Sequence, residues 1–334
     1  MNPYIGHENQ LAGVEEYQLI GGKGNGMRFL QVKNGKGLEF AISADRCADI
    51  SKLSFLGKNM SYLSPCGYVA PAYYDDKGAG FLKSFTAGFL TTCGLNSVGT
   101  PCEDKGETLP LHGTIGNTPA EHLYWTRDEN SIIIFAEILD EGIFSHKLRL
   151  NRSLSCSLNK NEIILKDVIK NTGDAEYPAM ILYHLNMGYP LLSEAAELYI
   201  PSTKITSRDK HAQEGIDKWS EIFKPQSEFI EQCYFHEFNQ NGVAGIFNHD
   251  IGIGLKISFD AAKLPYFTQW KMMGNRDYVL GLEPGNCHPD GRDKMREEEK
   301  LVILKPNEEI EYEVKIEMID GINEWNEIKG GTKC

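Results

Sequence analysis

The sequence predicts an all-β protein, a large β-sandwich with few short helices. Three observations carry this reading: apolar residues recur with a period of two, apolar runs are bounded by turn residues, and helical signals are sparse. The clearest alternation is Ile310, Tyr312, Val314, Ile316 and Met318, interleaved with Glu311, Glu313, Lys315 and Glu317. Successive side chains on a strand point to opposite faces, so this segment offers one face to a core and the other to water. It follows Lys305-Pro306-Asn307-Glu308, where proline fixes φ and asparagine tolerates the left-handed region, as a tight turn needs. Leu148, Leu150, Leu154, Cys156 and Leu158 keep the same alternation. Ser131 to Leu139 and Ile163 to Ile169 are short apolar runs of the kind found in buried strands.

The pairs Asn34-Gly35 and Asp290-Gly291 and the triplet Asn171-Thr172-Gly173 read as hairpin turns between such runs. Asp209 to Trp219 offers one short helical piece, and the charge run Arg292 to Lys300 reads as a solvated loop. Many strands that each bury one face require two packed sheets. No internal repeat, linker or shift in composition divides the chain, so residues 1–334 read as a single domain.

Composition narrows the function classes. The net charge is −13, which disfavours nucleic acid and anionic membranes as partners because neutralising phosphate needs a basic face. No apolar run approaches the roughly 20 residues that span a bilayer. The segment Met1 to Gln10 is polar and lacks the basic and apolar regions of a signal peptide. Eight cysteines fall at irregular intervals without a CxxC pair, a pattern of reduced, mostly buried thiols. The expectation is a soluble cytoplasmic protein. Nothing in the sequence fixes an oligomeric state.

Three segments could carry chemistry. In Leu109-Pro110-Leu111-His112-Gly113, a histidine precedes glycine in a loop whose backbone can approach a ligand closely. In Ile181-Leu182-Tyr183-His184-Leu185-Asn186-Met187, the position after the Asn171 turn suggests the return strand of a hairpin. His184 and Asn186 then share one face, and Tyr183, Leu185 and Met187 share the other. A polar pair within an apolar strand is costly to bury unless partnered, so it marks either a satisfied core histidine or a ring presented to a cleft. In Tyr278-Val279-Leu280-Gly281-Leu282-Glu283-Pro284-Gly285, an acid closes an apolar strand beside residues that fix the backbone. Burial there would raise its pKa toward the range of a general base. Each residue alone also has an ordinary structural reading.

The order of these segments resembles the aldose 1-epimerase (galactose mutarotase) superfamily, and specifically a divergent branch of it. Asp45-Arg46-Cys47-Ala48-Asp49-Ile50, Thr91-Thr92-Cys93-Gly94-Leu95, Leu111-His112-Gly113, the Tyr183 to Leu192 stretch and Glu283-Pro284-Gly285 carry the resemblance across roughly residues 40 to 318. It implies a mutarotase-like supersandwich and a cofactor-free, metal-free isomerase that interconverts the anomers of an aldose. Glu283 would take the proton from the C1 hydroxyl, His184 would protonate the ring oxygen, and His112 would stabilise the developing charge. Arg46, Tyr183, Asn186, Gln269 and Trp270 are the expected substrate-binding residues, with Trp270 able to stack on a sugar face.

The sequence departs from the typical pattern in Gly88 to Thr100, which has Cys93 and Asn96 but no arginine, and in Phe267-Thr268-Gln269-Trp270-Lys271, where a sugar-binding acid would be sought. Lys271, Arg276 and Arg292 lie near this second region. They leave a neutral and an anionic sugar both open, although solvated surface charges are the simpler reading. The alternative function is a carbohydrate-binding β-sandwich without turnover. A metal-dependent isomerase on a cupin-like barrel is disfavoured because no His-x-His occurs among the nine histidines. A glycoside hydrolase needs two carboxylates flanking the bond, and one persuasive carboxylate is present.

Overall fold

The strand Glu309–Asp320 takes up the alternation read from the sequence, with Tyr312, Val314, Ile316 and Met318 buried and the intervening acids toward water. It sits at the middle of an eight-stranded antiparallel sheet. The order is His122–Arg127, Ser131–Glu141, Lys147–Ser157, Glu162–Asn171, Glu309–Asp320, Ile253–Asp260, Asn241–Asn248 and Ala196–Tyr199. The turn before Glu309 holds Asn307 at φ 65°, as the Pro-Asn pair predicts. A six-stranded antiparallel sheet faces it, in the order Lys204–Ser207, Gln232–Glu237, Tyr266–Met273, Tyr278–Gly285, Met180–Met187 and Leu90–Leu95. A third sheet of five N-terminal strands runs Gly13–Gln18, Arg28–Lys33, Leu38–Ser43, Asp49–Phe55 and Lys58–Asn59. The computed structural model describes residues 3–331. The eighth cysteine, Cys334, and the first two residues of the polar N-terminal segment lie outside that range.

The three sheets share one apolar core, in which Ile134, Leu150 and Val314 meet Tyr183, Leu185 and Leu282 of the facing sheet and Phe40 and Ile42 of the N-terminal one. Inside this core Arg152 joins all three. Its guanidinium donates to both Asp167 carboxylate oxygens at 2.9 and 2.7 Å, to Asp49 at 2.6 Å, to the Cys47 carbonyl at 3.0 Å and to the Thr92 hydroxyl at 2.8 Å. Thr92 in turn donates to Asp49 from its backbone N–H and its hydroxyl. The Asp45 to Asp49 turn, with Cys47 and Ala48 at φ 53° and 50°, is shaped to deliver that carbonyl and carboxylate.

Several local expectations are corrected. Met180–Met187 is not the return strand of a hairpin with the Glu162–Asn171 strand. The chain crosses through Tyr177–Pro178, which pairs with Ile303–Leu304, and enters the facing sheet. All eight residues of Met180–Met187 are buried, so local alternation gives no clue to which sheet receives them. Asp290-Gly291 leads into a helix rather than a hairpin, and Arg292–Glu297 is helical rather than a solvated loop. Arg292 is buried there, and Arg292 and Arg296 both grip Asp104. The helical reading of Asp209 to Trp219 resolves into the helix Lys210–Glu214, capped by Asp209, and a 3-10 turn at Ile216–Lys218. A helix at Ile322–Gly331, unforeseen in the sequence, buries Trp325 against Phe247. No described helix is long and apolar enough to cross a membrane, and the seven described cysteines are free.

Removing the Arg152 guanidinium would strand two carboxylates in the core. Breaking a buried ion pair from one side costs about 3–5 kcal/mol, so Arg152→Met should lose about that much stability in urea denaturation.

Candidate active site

The face of the six-stranded sheet turned away from the core carries the candidate site, because strand register lines up side chains in rows across it. Thr268 pairs with Glu283, and Trp270 with Gly281. Leu185 pairs with Leu282, which sets His184 beside Glu283, and His184 pairs with Thr91 on its other side. Cys233 pairs with Trp270, and the Arg208 N–H bonds to the Cys233 carbonyl, extending the second row to the sheet edge. Gly281 leaves room for the Glu283 carboxylate, since a Cβ there would displace Glu283 Oε1 and crowd the Trp270 Cβ.

His112 reaches the same place from a loop. It sits at φ 60° and is followed by Gly113 at φ 70°. A Cβ on Gly113 would strike the carbonyl oxygens of Gly94 and Ser97, so glycine after His112 is a packing requirement. The loop is pinned by the His112 carbonyl, which accepts from Gly94 N–H, and by the Tyr74 hydroxyl donating to the Gly113 carbonyl at 3.0 Å.

These elements enclose a cavity of about 240 Å³ lined by His112, His184, Glu283, Thr268 and Trp270, with Phe81, Phe85 and Leu111 as its apolar cover and Arg208 and Glu231 on its wall. His184 Nε2 stands 3.3 Å from Glu283 Oε1, close enough for proton exchange after a small reorientation but not aligned as a hydrogen bond. The His112 and His184 rings meet edge-on with centroids 5.7 Å apart. Phe85 and Trp270 lie 5.4 and 5.3 Å from the His184 ring, and Phe81 lies 5.2 Å from His112. The Trp270 indole N–H donates to Glu231 at 2.7 Å, which fixes the plane of the ring.

Burial dominates the electrostatics. It raises the Glu283 pKa well above the ordinary carboxylate range; the Glu231 charge adds to this and Arg208 opposes it. Burial lowers His184 to about 4, against a smaller contribution from Asn186. His112 is lowered as well, by burial and then by His184 and Arg208. Both members of the His184 and Glu283 pair are thus pushed toward their neutral forms. The Thr268 hydroxyl, His112 Nδ1, His184 Nδ1 and Glu283 Oε1 are enclosed polar atoms without a hydrogen-bond partner in the protein. Such groups cost free energy unless something polar meets them. Among the described residues, no group of three or more histidines, cysteines or acids has the arrangement to hold a metal ion.

The structure brings His112, His184, Glu283 and Trp270 together and places the other expected residues elsewhere. Gln269 and Tyr183 alternate with their neighbours and so point into the core. Gln269 bonds to His236 Nε2 and to the Trp219 carbonyl, and Tyr183 is buried between the sheets. Asn186 lies beneath the site, donating to the His184 carbonyl at 2.8 Å, and does not line the cavity. Arg46 is held by the Val69 carbonyl at 3.0 Å and borders a separate narrow cleft, its pKa lowered to about 10 by burial.

Lys271 and Arg292 are not solvated surface charges. The Lys271 amine is buried, donates to the Lys218 carbonyl and lies 4.2 Å over the Phe223 ring; Arg292 is buried against Asp104. Sequence reasoning missed Phe81, Phe85, Arg208, Glu231 and Thr268. Only Thr268 carried a signal, since it precedes Trp270 by two residues on one strand and must share its face.

With this geometry established, comparison with known proteins gives a consistent fold. A candidate aldose 1-epimerase from Klebsiella pneumoniae superposes with a TM-score of 0.88 at 24% identity, over 95% of this chain and 86% of that one. A galactose mutarotase-like protein from Clostridium acetobutylicum matches with a TM-score of 0.69 at 16% identity, covering 93% of this chain and 100% of the other. The galactose 1-epimerase of Lactobacillus acidophilus matches with a TM-score of 0.63 at 14% identity, again covering 93% and 100%. No curated protein matches in sequence. The fold is therefore that of the aldose 1-epimerase and galactose mutarotase-like structures, and the sequence match over residues 24–318 makes the chain a member of the family described as a domain of unknown function, DUF4432.

Proposed function

We propose that this protein interconverts the anomers of an aldose by acid–base opening and closing of the sugar ring. The observation that carries the reading is the His184 and Glu283 contact of 3.3 Å, buried on adjacent strands at the wall of a sugar-sized cavity that His112 also lines. Two groups that share one proton suit a reaction that removes a proton at one oxygen and supplies one at another.

In the resting site the pKa directions favour that proton on Glu283, with His184 neutral. A bound aldose presents a hydroxyl donor to the carboxylate and a ring-oxygen acceptor to the imidazole, which stabilises the carboxylate and imidazolium arrangement. Glu283 then takes the C1 hydroxyl proton as His184 donates its own to the ring oxygen. The C1–O5 bond breaks, its electron pair staying with the oxygen, and the C1–O1 bond becomes the carbonyl of the open aldehyde. Rotation about C1–C2 and the reverse transfers yield the other anomer and restore the pair. His112, held neutral, can donate a hydrogen bond to an oxygen that gains charge in this step. The steps need no cofactor. The similarity to the galactose 1-epimerase of Lactobacillus acidophilus supports the same reading.

Glu283→Gln should keep the fold and the affinity for sugar while turnover falls by about 10²–10⁴-fold, read by polarimetry or exchange NMR. His184→Ala should cost more than His112→Ala; the reverse order would exchange their roles. A non-catalytic sugar-binding protein would lose nothing in Glu283→Gln except a measure of affinity.

The pH profile of kcat/KM should be bell-shaped. The working pair holds one proton, so activity falls below about pH 4 as His184 titrates and the pair takes up a second. It falls on the alkaline side, above the ordinary carboxylate range, as the pair loses its proton. A profile governed by an unshifted carboxylate would contradict the buried pair.

A further inference from the structure

We propose that Arg208 and Glu231 are the specificity-determining residues of this site, gripping the hydroxyls of an uncharged sugar at the end away from C1 and rejecting sugars that carry an acid group. This rests on the anomer-interconversion reading for the position of C1, beside Glu283. Arg208 is the one cationic side chain among the described residues that line the cavity. It follows the edge strand Lys204–Ser207, and Glu231 immediately precedes Gln232–Glu237, so both lie on the far side of Trp270 from Glu283. A sugar resting on the Trp270 ring with C1 at the proton-transfer pair directs its remaining hydroxyls toward these two residues.

The charge of Arg208 is already engaged. Its Nε lies 3.2 Å from Asp290 Oδ1 and its Nη2 donates to the Thr100 hydroxyl at 3.3 Å. Glu231 stands close enough to add to its field, and its carboxylate accepts from Trp270. One cation therefore faces two carboxylates at this end of the cavity. A carboxylate or phosphate on the sugar would have to compete with Asp290 for the guanidinium charge and lie beside Glu231. A hydroxyl pair meets no such opposition, since the guanidinium fork donates to hydroxyl oxygens and the Glu231 carboxylate accepts from a hydroxyl. The cations that left an anionic sugar open in the sequence do not compensate. Lys271 and Arg292 are buried elsewhere, and Arg276 borders a different depression.

The test pairs neutral sugars with their acid counterparts, glucose with glucuronate and glucose 6-phosphate, and galactose with galacturonate. Anomer exchange is measured by NMR for the wild type, Arg208→Ala and Glu231→Gln, and sugar binding to Glu283→Gln is followed in parallel by saturation transfer. The wild type should favour the neutral member by at least about tenfold in kcat/KM. Arg208→Ala should raise KM by about tenfold or more, with a smaller change in kcat that follows from the loss of its charge beside Glu283 and His112. Glu231→Gln should raise KM and narrow the gap between neutral and acid sugars.

Preferred turnover of an acid sugar, or KM unchanged in both variants, would overturn the proposal while leaving the proton-transfer reading intact. Binding of neutral sugars that is lost when Arg208→Ala is added, without turnover of any sugar by the wild type, would uphold the proposal and overturn that reading. Neither binding nor turnover of any sugar in the panel, neutral or acid, would overturn both.

Discussion

The architecture depends on one buried cation. Arg152 lies in the core of the eight-stranded sheet, yet its hydrogen bonds reach Asp49 and Cys47 of the N-terminal sheet and Thr92 of the six-stranded sheet. Every donor it directs has an oxygen partner, and Asp167 is held by two of them. A charge so placed is tolerable only when fully met, because an unpaired ion in a low-dielectric core costs several kcal/mol. That requirement fixes how the three sheets meet. Thr92 is the residue after Thr91, the strand partner of His184, so the same network sets the position of the strand beside the site.

From that frame the site follows by register. An antiparallel sheet places side chains of paired residues together on one face, and here Thr91, His184, Glu283 and Thr268 form one row while Gly281, Trp270, Cys233 and Arg208 form the next. Gly281 leaves the space that Glu283 and Trp270 occupy, and Gly113 lets the His112 loop close down on the sheet. The aromatic cover then removes water from an acid and an imidazole. Burial drives both toward neutrality, which leaves the pair holding one proton between them.

The sequence made the fold class legible because half-buried strands such as Glu309–Asp320 write their two faces as alternating residue types. It could not place Met180–Met187, since a strand covered on both sides has no alternation to read and its partner strands are distant in sequence. The site was partly legible. His112, His184 and Glu283 stand out as polar groups beside glycine or within apolar strands. Naming both Tyr183 and His184, or both Gln269 and Trp270, as facing a ligand overlooked that neighbours on a strand point opposite ways. Arg208 and Glu231 were hidden for another reason. Arg208 follows the short edge strand Lys204–Ser207 and Glu231 precedes its neighbour Gln232–Glu237, neither within a motif, and only the sheet order brings them to the cavity.

We propose that the buried pair of His184 and Glu283 accelerates anomer exchange. Exchange NMR on a panel of aldoses, with and without the wild-type protein, measures this directly. A working proton-transfer pair gives faster α–β exchange for at least one uncharged aldose, beyond the rate in buffer alone. Exchange at the buffer rate for every sugar in the panel would contradict it.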